Sequence, residues 1–158
     1  MGEVVAASLL ALIGIFDVIG TLGSGYLTDR VDPRKLLVFY YGFSGISLLL
    51  LPSILFATLH PSTLVFVIFY GLDWVATVPP TIMLCRTILG PDRGTVIYGW
   101  VFAAHQIGGS IAAFGAAVLR VKLGDYALSF YLSGALCLIT SYFVLQIAKG
   151  KDTASLNV

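Results

Sequence analysis

Gly25-Tyr26-Leu27-Thr28-Asp29-Arg30-Val31-Asp32-Pro33-Arg34-Lys35 is the stretch on which the fold turns. It reads as G-x-L-x-D-R-x-D-P-R-K, a short charged loop between two long apolar runs. A small residue such as Gly25 lets two membrane helices approach closely. An acid at the end of a helix can accept hydrogen bonds from a neighbouring helix N-terminus and pair with Arg30. Pro33 suits the first turn of the next helix, where its missing N–H costs nothing. The bland alternative for Asp29, Arg30, Arg34 and Lys35 is a solvated basic hairpin, but the complete spacing favours a built motif.

The runs on either side continue along the chain. Spans are expected over Val4–Leu27, Leu36–Leu59, Thr63–Cys85, Thr95–Leu119 and Tyr126–Ala148. Each exceeds 20 residues, enough to cross a hydrocarbon core of about 30 Å at about 1.5 Å per residue. The runs are continuously apolar, without the alternation of a membrane barrel, so the expected class is an all-α membrane protein with five transmembrane helices. These occupy a transmembrane domain over residues 1–148, followed by a tail over 149–158. Composition agrees: 58% of the 158 residues are hydrophobic and 11% charged, with a mean hydropathy of +0.97. Soluble domains carry about 25% charged residues. A net charge of +1 offers no basic stripe for a nucleic acid. Nor does the length leave room for a soluble catalytic domain. Cys85 and Cys137 read as apolar filler, without metal-ligand spacing. No cofactor or metal is implied. The start does not read as a signal peptide, since it lacks a basic region and carries Glu3.

Alternate loops lie on one side of the bilayer. One side holds Arg30, Arg34, Lys35, Arg86, Arg93, Lys149 and Lys151, the other Arg120 and Lys122. The excess of cations makes the first side cytoplasmic, with the N-terminus outside and the C-terminus inside a cell (inner) membrane.

The loop resembles the signature loop of major facilitator superfamily transporters, which follows the second helix and, in weaker form, the eighth. Four spans and a cytoplasmic tail follow it here. The chain is therefore similar to helices eight to twelve, a partial C-terminal half of that fold. Gly99-Trp100-Val101-Phe102-Ala103-Ala104-His105-Gln106 resembles the eleventh helix of bacterial monocarboxylate-transporter-like members. Gly124-Asp125-Tyr126 with Phe130-Tyr131 is similar to their entry into the twelfth. The resemblance implies a secondary transporter in which two halves rock about a central site. It also implies that the N-terminal half is missing here, supplied by the same gene or a separate chain.

Of the charged residues, Asp17 and Asp73 alone fall inside the spans. Ionisable groups at bilayer depth cost at least about 2.5 kcal/mol and call for a reason. Asp17, Asp73, His105 and Gln106 all lie near mid-span, the depth at which transporter sites sit. Helical phase places Gly14, Asp17, Gly20, Thr21 and Ser24 on one face of the first span and Leu12, Ile15, Ile19, Leu22 and Tyr26 opposite. Tyr70, Asp73 and Thr77 share a face of the third. In the fourth, Ala104, Gly108, Ala112 and Ala116 form one small-residue ridge, and His105, Gly109, Ala113 and Ala117 another. Trp74 and Trp100 sit well inside spans and are packing residues or pocket walls. Each polar residue also has a structural reading, such as a bond to a neighbouring hydroxyl or carbonyl.

The resemblance bears on Asp17. Monocarboxylate transporters carry an aspartate in the eighth helix and an arginine four residues later for the substrate carboxylate. Asp17 matches the acid, while the arginine position is Thr21. Asp17, Thr21, Asp73, His105 and Gln106 are thus the expected substrate or proton pathway, with Asp17 and His105 as a proton-coupling pair. Pro79 and Pro80 remove two backbone donors inside the third span, and a kink there is a candidate gating hinge. Thr77 and Thr81 are placed to satisfy the freed carbonyls. The expected function is transport of a small organic solute, an organic anion or monocarboxylate, across the lipid bilayer with proton coupling. The chain is expected to be inactive alone. The competing expectation is a non-transporting assembly partner or the product of a truncated gene. An enzyme is not expected: no H-E-x-x-H or G-x-S-x-G is present, and Ser110 lies five residues from His105 on one helix.

Overall fold

In the computed structural model, residues 3–55 and 61–147 are described. They form six α-helices: α1 (Glu3–Thr28), α2 (Pro33–Leu55), α3 (Pro61–Trp74), α4 (Val78–Leu89), α5 (Pro91–Leu123) and α6 (Ala127–Gln146). Five segments are long and apolar enough to cross a membrane, with α3 and α4 together making the third. The chain is an all-α, multi-pass membrane protein. The end of the expected second span (56–59), the last residue of the fifth (148) and the tail lie outside the described residues.

Each boundary has a local cause. Asp32 is the N-cap of α2: its Oδ1 accepts the Arg34 N–H at 3.0 Å, and Pro33 opens the helix. Gly90, at φ +84°, is the one residue between α4 and α5. The fourth span, expected over Thr95–Leu119, is helical from Pro91 to Leu123 and so takes in Asp92, Arg93, Arg120 and Lys122. Long basic side chains extend past the apolar core, so charge does not end the helix. Gly124 does, in the left-handed conformation at φ +85°, its N–H donating to the Arg120 carbonyl at 2.9 Å.

α1 packs along α3, and α2 along α6. Both pairs meet at glycines. A Cβ on Gly20 would strike the Leu72 backbone, and one on Gly71 would lie 2.8 Å from the Ile13 carbonyl oxygen. Gly45 and Gly134 bring α2 and α6 together, a Cβ on Gly134 lying 2.9 Å from the Gly45 carbonyl oxygen. The expected division of α1 holds for Gly20 and Ser24, which are covered, and for Leu22, which is 71% exposed. Gly14, assigned to the covered face, instead has open space around it, because Gly71 of α3 seats against Ile13 and Phe16.

α5 packs chiefly on α4 and touches α6 only weakly. The small-residue ridges of α5 therefore do not pack here: Gly108 and Gly109 meet nothing, and residues 101–114 are exposed throughout.

Candidate functional site

The third span is interrupted at Val75–Thr77, between α3 and α4. Pro79 and Pro80 are the cause, though not by kinking a helix interior. They stand in the first turn of α4, where a missing N–H is tolerated. Continuing the helix backwards would require their N–H groups to serve the carbonyls of Val75 and Ala76. Those carbonyls find other donors. The Val78 N–H donates to Val75 at 3.0 Å, and the Ser24 hydroxyl of α1 donates to Ala76 at 2.5 Å. Thr77 and Thr81, expected to satisfy the freed groups, bond to each other instead: Thr81 Oγ1 donates to the Thr77 carbonyl at 2.6 Å.

Asp17 serves the same break. Its Oδ1 accepts the Val75 N–H at 3.1 Å. Asp17 and Ser24 lie seven residues apart, two helical turns, on the face of α1 that meets α3. One helix thus holds both the donor and the acceptor side of the interruption. The expected pairing of Asp17 with His105 is not formed: among the described residues no hydrogen bond or ion pair joins them, because Asp17 is turned to Val75. His105 instead stacks on Phe102, with ring centres 6.4 Å apart.

A cavity of about 390 Å³ opens beside the break. Tyr41 of α2, Trp74, Thr77 and Thr81 form one wall, and Tyr98, Phe102, His105 and Gln106 of α5 the other. It combines aromatic rings with hydrogen-bonding side chains. Of the expected pathway residues, the structure brings His105 and Gln106 to this cavity and leaves Asp17, Thr21 and Asp73 out of its lining. Asp73 is buried next to Ser44, whose hydroxyl donates to its Oδ2. Trp74 is a cavity wall, whereas Trp100 is neither wall nor packing residue, being 72% exposed. Sequence reasoning missed Tyr41, Tyr98 and Ser44 as part of this region. Tyr98 carried a signal, with Phe102 four residues on and His105 three beyond that, all on one helix face. Ser44 and Tyr41 carried one too, since Tyr41, Ser44 and Ser47 recur every three residues along one side of the second span.

At the loop, the ion pair is Arg34–Asp32 at 2.6 Å, and Arg34 also donates to the Ile147 carbonyl at 3.0 Å, tying α2 to the end of α6. Arg30 does not form the expected pair: among the described residues no salt bridge joins it to Asp29. Its guanidinium lies 3.6 Å above the Tyr26 ring and donates to the Tyr26 carbonyl at 3.2 Å. Gly25 and Asp29 line a shallow cleft with Pro79 and Arg86, where the loop approaches α4. Lys35 is exposed.

These features define a multi-pass membrane protein with an interrupted span beside a cavity. Comparison with known proteins places it near transporters. It is 30% identical to rat monocarboxylate transporter 13 over 144 residues, 90% of this chain and 33% of that protein. It is 30% identical to monocarboxylate transporter 12 of Xenopus laevis over 149 residues, 91% of the chain and 31% of the relative. Against monocarboxylate transporter 12-B of Danio rerio it is 26% identical over 153 residues, with 94% and 31% covered. The chain thus spans about a third of the length of the curated relatives it matches. No protein-family profile matches it, and no solved structure does.

Proposed function

We propose that this chain forms part of a major facilitator secondary transporter for a small organic solute, an organic anion or monocarboxylate, coupled to protons. The observation that carries the reading is the interrupted third span, braced by Asp17 and Ser24 beside the cavity that His105 and Gln106 line. Broken helices at mid-membrane are the usual builders of transporter sites. The similarity to monocarboxylate transporters over nine-tenths of the chain supports the solute class. The helices would correspond to the eighth to twelfth of the fold, of the bacterial type that Gly99–Gln106 resembles. The basic loop would face the cytoplasm of the cell membrane.

The exposed ridges of α5 and the length of the relatives support a second set of helices, from the same gene or a separate chain, closing the cavity. Aligned small residues on a lipid-exposed helix face favour helix association. Asp17, Thr21, His105 and Gln106 are assigned to the solute or proton route, and the chain alone is assigned no transport. An assembly partner without transport is the second reading, favoured by the same exposed ridges.

The test is uptake of radiolabelled pyruvate into proteoliposomes under an imposed pH gradient, using the polypeptide made from the intact gene and residues 1–158 alone. Gradient-driven uptake by the first and none by the second is expected. Uptake by residues 1–158 alone would refute the shared-cavity reading, and none by either would favour the assembly partner. In the same assay Pro79→Ala/Pro80→Ala is expected to lower uptake at least tenfold. The restored N–H groups would compete with Ser24 and Val78 for the carbonyls of the break and close it into continuous helix. Unchanged uptake would remove the hinge.

A further inference from the structure

The two acids inside the spans are held differently. Asp17 has a backbone N–H as its partner. Asp73, in the last turn of α3, is 5% exposed, and only one of its oxygens is served. Ser44 donates to Oδ2, while Oδ1 is buried without a hydrogen-bond partner among the described residues.

The groups facing Asp73 come from each neighbouring element. α2 supplies Tyr41 and Ser44, α3 itself Tyr70, and α6 Cys137. α1, packed along α3, carries Asp17, which accepts the Val75 N–H, and the break carries Thr77. None of these is a cation. Arg86 lies near the far end of α4, and His105 lines the cavity, from whose wall Asp73 is absent.

An ionised carboxylate offers about four acceptor sites over its two oxygens and in water fills them. Buried with one hydroxyl donor and no counter-charge, it would bear a desolvation cost that nothing nearby offsets. Mid-membrane placement adds to that cost. A neutral carboxyl in the same place needs far less, and its O–H is itself a donor.

We propose that Asp73 is a proton-binding site in its own right, separate from the cavity: its carboxyl carries a proton while α2, α3 and α6 are packed. It exchanges that proton with water when the break at Val75–Thr77, two residues away, opens and wets Oδ1. The exchange balances as one proton moving between water and one carboxylate oxygen, with no other reactant. It does not depend on which solute the cavity takes, nor on whether the chain transports.

The test is infrared spectroscopy of the full chain in lipid vesicles at neutral pH, with and without carboxyl-13C aspartate. A label-sensitive carbonyl band of a protonated carboxyl is expected. It should vanish in Asp73→Asn, persist in Asp17→Asn, move to higher frequency in Ser44→Ala, and stay unchanged when sodium replaces potassium. Absence of the band from the parent chain, or its loss in Asp17→Asn in place of Asp73→Asn, would overturn the proposal. Its conversion by sodium into a carboxylate band would overturn it too, in favour of a metal-cation site. Should Asp73→Asn fail to fold, Ser44→Ala decides, because an unmoved band there excludes Asp73 as its source.

Discussion

Gly20→Leu is expected to separate α1 from α3 and abolish the cooperative thermal unfolding of the chain in detergent. The Leu72 backbone occupies the space that any side chain at residue 20 would need, and backbone cannot rotate away as a side chain can. Overpacking a tight contact costs about 1–3 kcal/mol, more where neither side can yield. The consequence reaches further than the contact. Asp17 and Ser24, one turn to either side of Gly20, lose their reach to Val75 and Ala76, and two buried backbone groups lose their partners together. Gly23→Leu is the control, since nothing lies within 4 Å of that position and it faces outward. Equal melting of the two variants would show that α1 does not dock through Gly20.

Asp17→Ala is expected to expose the Val75 amide to hydrogen exchange, speeding it by about tenfold or more in the peptide spanning residues 72–78. A buried N–H left without an acceptor costs about 1–3 kcal/mol, and about 1.4 kcal/mol corresponds to tenfold in an opening equilibrium. Asp17→Asn keeps a carbonyl oxygen where Oδ1 stands and should leave exchange close to that of the parent chain. The two variants thus divide the residue's structural work from any part its proton plays. In the uptake assay Asp17→Asn should lose pH dependence while the break stays braced. Equal exchange in all three chains would mean that the Val75 N–H does not depend on Asp17.

Much of this architecture was legible in the sequence, for physical reasons specific to membranes. Spans announce themselves because apolar runs must be long enough to cross and charges must avoid them, so only Asp17 and Asp73 stood out. The packing face of α1 was readable from Gly20 and Ser24, since small and polar residues at helical spacing have few other uses there. The prolines announced a break but not its partners. Which donor reaches the Ala76 carbonyl depends on how far α1 slides along α3, and that register is fixed by Gly20 against Leu72 and Gly71 against Ile13. The same register turned Asp17 towards Val75, which helical phase within one span cannot foretell. The ridges of α5 were legible as packing surfaces, yet the partner they imply is not among the described helices of this chain.

The central claim is that the two walls carrying Trp74 and His105 border an aqueous route while Ile19 and Leu22 face lipid. It is tested most directly by single cysteines at 74, 105, 19 and 22, with Cys85 and Cys137 replaced by serine, in membranes carrying the product of the intact gene. A membrane-impermeant thiol reagent should modify the cysteines at 74 and 105 and leave those at 19 and 22 untouched. Modification at 19 and 22 with silence at 74 and 105 would contradict the account.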